Sequence, residues 1–409
     1  MATTVLVVFA LVYAGMILGG LPFLQLDRTG IALLGAIAIV GLGVLTPEQA
    51  ALSIHLPTLL LLFSFMVISA QMRLGGFYNR VTLGIAGMAL SPPLLLLAVI
   101  LVVAALSAVF HNDVICLAIA PVLADACLQR RLDPVPYLLG LACAANVGSA
   151  ATLIGNPQNM LIGQVLGLSF ADYFLEAIVP VLLGLAATWG VIAWQARGRW
   201  VTVLEDPPPE RRAESEYARY DRWQTAKGLA IAAALIGAFL FTGMPREVAA
   251  LAGAGVLLMS RKLHSHKMLG LVDWELLILF IGLFVVNHAL QQTGLAAEAV
   301  AWLAAAGVPL TDTGPLFVVT LVLSNVVSNV PAVMLLLPAA TEPFSGPMLA
   351  LVSTLAGNFF IVGSIANIIV VDAARRRGIA IDWRSHARAG VPVTLISLAA
   401  TAGWFALRH

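Results

Sequence analysis

Apolar residues run through this chain in long blocks, and the polar interruptions between them recur in the same order. Blocks of about 20 apolar residues predict membrane-spanning helices. Each half of the chain reads as two short helices (about 4–24 and 30–45, then 228–243 and 247–260) and a third starting near Leu59 or Trp274. A Gly-containing stretch follows ("LGGFYNR", "QQTGLAAEA"), then a Ser/Asn-rich region, a Gly-Asn region and a last helix. Residues 93–128 carry "HND" in the middle of an apolar run, which predicts a re-entrant helical hairpin with HND at its tip. Residues 316–342 predict another.

The repetition has a fixed register. Ser107, Asn112 and Pro121 return as Ser324, Asn329 and Pro338, and "LLLLF" (59–63) returns as "LLILF" (276–280), all shifted by 217. "IGNPQN" (154–159) is answered by "VGSIAN" (362–367), and "VPV…LAAT" from Val179 by the same letters from Val391. The expected organisation is a first membrane repeat over 1–196, a cytoplasmic linker over 197–227 and a second repeat over 228–409.

Charge sets the orientation. Arg73, Arg80, Arg130, Arg131, the linker, "RKLHSHK" and "RRR" (375–377) hold most of the positive charge, while their counterparts in the other copy carry no Lys or Arg. Basic loops mark the cytoplasmic side, so the copies are expected to be inverted. The fold expected is an all-α polytopic membrane protein of two inverted repeats. About ten transmembrane helices, two re-entrant hairpins and two broken helices make it up. Such interrupted helices form binding sites near the midplane in many secondary transporters.

Composition agrees. Of 409 residues, 60% are hydrophobic and 11% charged, against about 25% charged in soluble domains. The mean hydropathy is +0.97. A net charge of +1 argues against nucleic acid as a partner. The N-terminus reads as a first membrane helix rather than a removed signal peptide, and the location expected is the cell membrane, in a bacterium the inner membrane. Cys116, Cys127 and Cys143 form no CxxC and read as packing residues. Asp125 is expected to be solvated near Arg130 and Arg131, and His55 and His288 to be interfacial.

The candidate solute-binding residues are Asn112, Ser328, Asn329, Gly155, Asn156, Asn159, Gly363, Ser364 and Asn367. Glycine permits unwinding and close backbone approach, Pro157 is expected to end the helix before it, and the helices resuming after each break point positive N-terminal ends inward. Packing alone does not require the same amide in both copies. Asp113, with His111, Asn146 and Asn358, is the candidate for cation or proton coupling, because an ionisable group at depth is costly and marks function. No metal centre or cofactor is expected beyond a bound Na+ or a coupled proton. An intramembrane enzyme built on His111, Asp113 and Cys116 would give no reason for duplicated halves.

"HNDVICLAIAP", "NVGSAATLIGNPQN", "SNVVSNVPAVMLLLP" and "GNFFIVGSIAN" resemble the signature segments of the ion transporter superfamily, which includes arsenite permeases, divalent-anion/sodium symporters and citrate–cation symporters. The resemblance runs from about Thr4 to Trp404 and is strongest to the arsenite-permease and anion-permease side. In the divalent-anion symporters each hairpin tip carries Ser-Asn-Thr; here the matching residues are His111-Asn112-Asp113 and Ser328-Asn329-Val330. Both asparagines stay and both threonines are gone. The function this implies is secondary transport of a small inorganic anion or of arsenite or antimonite, coupled to protons or a cation. A sodium/proton antiporter and a sodium-coupled di- or tricarboxylate symporter are the alternatives. The partners expected are the solute, membrane lipid, a second copy of the chain and, on the arsenite-permease resemblance, a separate ATPase subunit.

Overall fold

A computed structural model describes residues 1–20, 24–201 and 219–408. Twenty α-helices appear among them. The first ten are α1 (Ala2–Leu18), α2 (Arg28–Gly41), α3 (Pro47–Ser53), α4 (Leu56–Leu74), α5 (Phe77–Ala86), α6 (Pro92–Val109), α7 (Asn112–Gln129), α8 (Pro134–Ser149), α9 (Pro157–Val165) and α10 (Phe170–Gln195). The next ten are α11 (Arg222–Phe241), α12 (Arg246–Leu258), α13 (Ser265–Leu269), α14 (Trp274–Gln292), α15 (Leu295–Ala305), α16 (Thr313–Val327), α17 (Asn329–Leu336), α18 (Ser345–Ala356), α19 (Ile365–Arg375) and α20 (Trp383–Arg408). Each helix of the first set has its counterpart ten places later.

Contacts obey the same exchange. α2 packs along α14 while its counterpart α12 packs along α4; α6 lies on α8 as α16 lies on α18; and the two last helices, α10 and α20, lie against each other. The α2–α14 seam is close enough that a side chain on Gly282 would meet the Ala32 backbone at 2.6 Å. Small residues let membrane helices approach this way. The molecule is an all-α polytopic membrane protein.

Among the described residues, seven helices (α4, α6, α7, α10, α11, α14 and α20) are long and apolar enough to cross a membrane. Ten was the expectation, and the difference has a physical origin. Two spans are divided by their breaks into α8/α9 and α18/α19, and α1, α2 and α12 have only 17, 14 and 13 residues. Conversely α6 and α7, read as hairpin arms, have 18 residues each.

Two further readings are corrected. Pro157 does not end a helix: α8 already stops at Ser149, and Pro157 is the first residue of α9, where its missing N–H costs nothing. The linker was read as ending at Lys227, and residues 202–218 lie outside the described residues, but α11 begins at Arg222. Asp221 caps it, accepting from the Trp223 and Gln224 backbone N–H groups at 2.9 and 3.1 Å. The Gln224 bond, helped by Lys262, holds the Asp221 carboxyl below the usual aspartate range.

Candidate functional site

Four helices begin at the interruptions: α7 at Asn112, α9 at Pro157, α17 at Asn329 and α19 at Ile365. Their first N–H groups lack intrahelical partners, and the residues there are amides and hydroxyls. Asn156 caps α9, its side chain accepting from the Asn159 N–H at 2.9 Å. Ser328, between α16 and α17, has φ +77° and ψ 159°, a region nearly confined to glycine that costs roughly 1–3 kcal/mol for other residues.

Asn146 sits at the centre. Its Nδ2 donates to Asn358 Oδ1 at 2.8 Å and to Asn367 Oδ1 at 3.2 Å. Its Oδ1 accepts from Asn112 Nδ2 at 3.2 Å and Ser364 Oγ at 2.9 Å. Asn367 Nδ2 in turn donates to the Gly357 and Phe360 carbonyls freed where α18 breaks off, at 2.8 and 3.1 Å.

Thr354 lies 208 residues after Asn146 and makes the exchanged set of bonds. It accepts from Asn156 Nδ2 at 3.2 Å and donates to Asn159 Oδ1 at 3.2 Å, as Asn146 engages Ser364 and Asn367. Ser149 joins the two halves of the lattice, accepting from Asn156 Nδ2 at 3.0 Å and donating to the Asn146 carbonyl at 2.8 Å. Beyond it, Tyr173 Oη donates to the Ala150 carbonyl at 2.7 Å, and His386 Nε2 lies 3.1 Å from the carbonyl of Asn358, the residue matching Ala150. A freed carbonyl in each copy thus gains a ring partner. Thr354, Tyr173 and His386 were not singled out in the sequence.

Gly155 holds the first hairpin against the first break. Its carbonyl accepts from the Asn112 N–H at 3.2 Å. A Cβ there would lie 2.3 Å from the Ser149 carbonyl oxygen and 2.8 Å from that of Ser107. Gly363 has its Cβ direction 3.3 Å from Asn325 Oδ1, and Gly357 has its own 3.2 Å from Asn329 Nδ2, so the second hairpin meets the second break likewise.

The candidate residues therefore come together, with a division of roles. Asn112, Asn146, Gly155, Asn156, Asn159, Asn358, Ser364 and Asn367 form one buried, hydrogen-bonded body. Ser328, His111 and Asp113 make no side-chain hydrogen bond to it among the described residues; His111 Nδ1 stands 3.9 Å from Asp113 Oδ2. At the two tips several buried polar atoms have no hydrogen-bond partner among the described residues: Ser107 Oγ, both His111 ring nitrogens and Asn112 Oδ1 on one, and Ser324 Oγ, Asn325 Oδ1 and Asn329 Oδ1 on the other. Two of these pairs, Ser107/Ser324 and Asn112/Asn329, are the matched positions of the repeat. Buried groups of this kind are rare.

Two cavities flank the lattice. The first, about 690 Å³, is lined by Arg73 and Leu74 at the end of α4, Leu271 before α14, Leu117 and Pro121 on α7, and the Ile369–Arg377 side of α19. The second, about 510 Å³, is lined by Ser53 and His55 before α4, His288 and Gln291 at the end of α14, Met334 and Pro338 beside α17, and Leu161 on α9. Leu74/Gln291, Leu117/Met334 and Pro121/Pro338 are pairs shifted by 217, and Leu161/Ile369 by 208. The end of α4 and the approach to α14 share one cavity, and the reverse ends share the other. The two helices run in opposite senses, so the copies are inverted. The arginines line the first cavity and none lines the second. His55 and His288 stand at helix ends as expected, but Asp125 is not simply solvated. It receives Arg377 Nε and Nη2 at 2.6 and 3.1 Å.

Residues 5–356 match the family model described as "Citrate transporter" (CitMHS). The chain belongs to that family. Its relatives include an uncharacterized transporter of Mycobacterium tuberculosis, Rv2685, which is 30% identical over 94% of this chain and 95% of its own length. The silicon efflux transporter LSI3 of rice (Oryza sativa subsp. japonica) is 27% identical over 92% and 91%. Among solved structures, the YdaH transporter of Alcanivorax borkumensis matches 99% of this chain and 96% of its own with a TM-score of 0.53 and 16% identity, a likeness of fold. The citrate transporter family lies within the superfamily that the four motifs resemble, and this chain is a multi-pass membrane transporter.

Proposed function

We propose that the protein is a secondary-active permease for a small inorganic anion or for arsenite or antimonite, driven by protons or another cation. What carries the reading is the set of unpartnered buried polar atoms at both hairpin tips, repeated at matched positions. Donors and acceptors left open in a membrane interior cost several kcal/mol each, a cost a transported solute offsets when it binds. The helix N-terminal ends beside them favour negative charge or oxygen-rich solutes. The asparagines bring no positive charge, which suits a hydroxylated neutral species or an anion travelling with a cation. A relative named for silicon efflux points to the same chemistry. Asp113 is the coupling carboxylate in this reading, and Asn112 and Asn329 bind the solute.

The test is uptake into proteoliposomes of arsenite, antimonite, phosphate, sulfate, citrate, succinate and Na+, each at two pH values. Accumulation of a metalloid or inorganic anion driven by a pH gradient, lost on Asn112→Ala or Asn329→Ala in folded protein, is the expected result. Na+ flux without any solute requirement would make the protein an antiporter. Citrate or succinate uptake with obligatory Na+ would make it a carboxylate symporter.

A further inference from the structure

The arginine-lined cavity carries a charge that the lattice does not. Three arginines face it, and two are neutralised where they stand. Arg376 Nε pairs with Asp372 at 2.8 Å, and Arg377 with Asp125 in a two-toothed bridge. Arg73 is different. It is half-buried in the last turn of α4, and among the described residues no carboxylate or carbonyl accepts from its guanidinium. Tyr78, 1% exposed, forms part of the same wall, its buried hydroxyl turned to Ser69. The charges lining the cavity thus leave one positive group over. A guanidinium removed from bulk water and left without a counter-charge is costly, and its planar fork suits an oxyanion. The cavity floor is made by Leu117 and Pro121 of α7 and Ile369 of α19, so an anion held at Arg73 rests on the two helices whose N-terminal ends carry Asn112 and Ser364.

We propose that this cavity is an oxyanion capture site on the basic face of the protein, with Arg73 as its binding group. It rests on the permease reading and narrows it, since a site of this kind gathers a solute that is anionic on that face. A single half-buried arginine binds an oxyanion weakly and releases it fast, as a staging site needs.

The test separates capture from midplane binding. Purified protein is titrated with sulfate and with inorganic phosphate at constant ionic strength, following thermal stabilisation. Asn112→Ala protein is expected to keep a saturable response to either anion. Arg73→Gln is expected to weaken it at least tenfold, and Arg73→Lys to restore part of it. In proteoliposomes Arg73→Gln should raise the apparent KM for an anionic solute presented on the basic face and leave the KM for arsenite at neutral pH unchanged. A response that survives Arg73→Gln, or one abolished by Asn112→Ala, overturns the capture site. Arg73-dependent anion binding in a protein that transports neither an inorganic anion nor arsenite or antimonite would overturn the permease reading and leave the site standing.

Discussion

Asn146 and Asn358 belong to different copies of the repeat, and the amide of the first donates to the carbonyl of the second at 2.8 Å. Asn146 has four side-chain partners in all: Asn112, Asn358, Ser364 and Asn367. Membrane-interior hydrogen bonds average about 0.6 kcal/mol, so Asn146→Ala is expected to lower stability by roughly 2–3 kcal/mol. Transport should be lost with it, because Asn112 and Ser364 lose their anchor. Thr401→Ala, which removes only a bond back to Ser397 of the same helix, should cost under about 1 kcal/mol. Denaturation midpoints in one detergent compare the two; equal losses would show that the lattice has no special standing.

Gly155→Ala is expected to be far worse than its single methyl suggests. The added carbon would lie 2.3 Å from one backbone oxygen and 2.8 Å from another, neither on a flexible side chain. Overpacking of this kind costs about 1–3 kcal/mol or more and would push the first hairpin off the break. Gly237→Ala, with nothing within 4 Å, should be neutral or stabilise α11 by up to about 1 kcal/mol. Yield of folded protein and uptake rate read both.

Asp113→Asn keeps the size and hydrogen-bonding capacity of the side chain and removes its charge change. Accumulation driven by a pH gradient should disappear, while exchange down a solute gradient survives, since amides and helix ends remain. Asp113 is also in the first turn of α7, where losing its charge against the helix dipole costs the helix only about 0.3–1 kcal/mol. Reconstituted Asp113→Asn protein that still concentrates solute at the wild-type rate would remove the carboxylate from the mechanism.

The Asp125–Arg377 bridge, with side chains 19% and 9% exposed, ties α7 to the end of α19 beside the capture cavity. Loss of one partner from a buried pair costs about 3–5 kcal/mol; with this exposure about 1–3 kcal/mol is expected for Asp125→Asn. The exchanged pair, Asp125→Arg with Arg377→Asp, should recover part of the lost stability. A double variant no better than Asp125→Asn alone would mean that the contact is not a specific pairing.

Much of the site was legible because membrane sequence is so uniform. Asn112, Asn156, Ser364 and Asn367 stand out in apolar surroundings, and the repeat marks them twice. Thr354 did not stand out, since a lone threonine is ordinary in a membrane helix. Applying the shift of 208 to Asn146 would have found it. Tyr173, which donates to the Ala150 carbonyl and accepts from Asn159 Nδ2 at 3.0 Å, and His386, which meets the Asn358 carbonyl, stand 213 apart, one residue out of the 212 register of their helices, so no shift aligned them. Asp125 was misjudged because its partner lies 252 residues away, beyond anything local charge can indicate. Pro157 was placed on the wrong side of the break, because a proline marks a helix boundary without saying which helix owns it.

Arg73 and Leu290 hold matched positions, 217 apart, beside cavities whose linings share the pairs Leu74/Gln291, Leu117/Met334 and Pro121/Pro338. Had the two copies been identical, the conformer open on one face and the conformer open on the other would be interchangeable by rotation, and their free energies equal. A helix, a break or an amide present in both copies then cancels from the balance between them. Only unmatched side chains can tilt it, and each kcal/mol of tilt shifts the resting ratio about fivefold. The preferred resting orientation of such a transporter is therefore encoded not in its scaffold but in the short set of positions, Arg73 among them, where the copies have diverged.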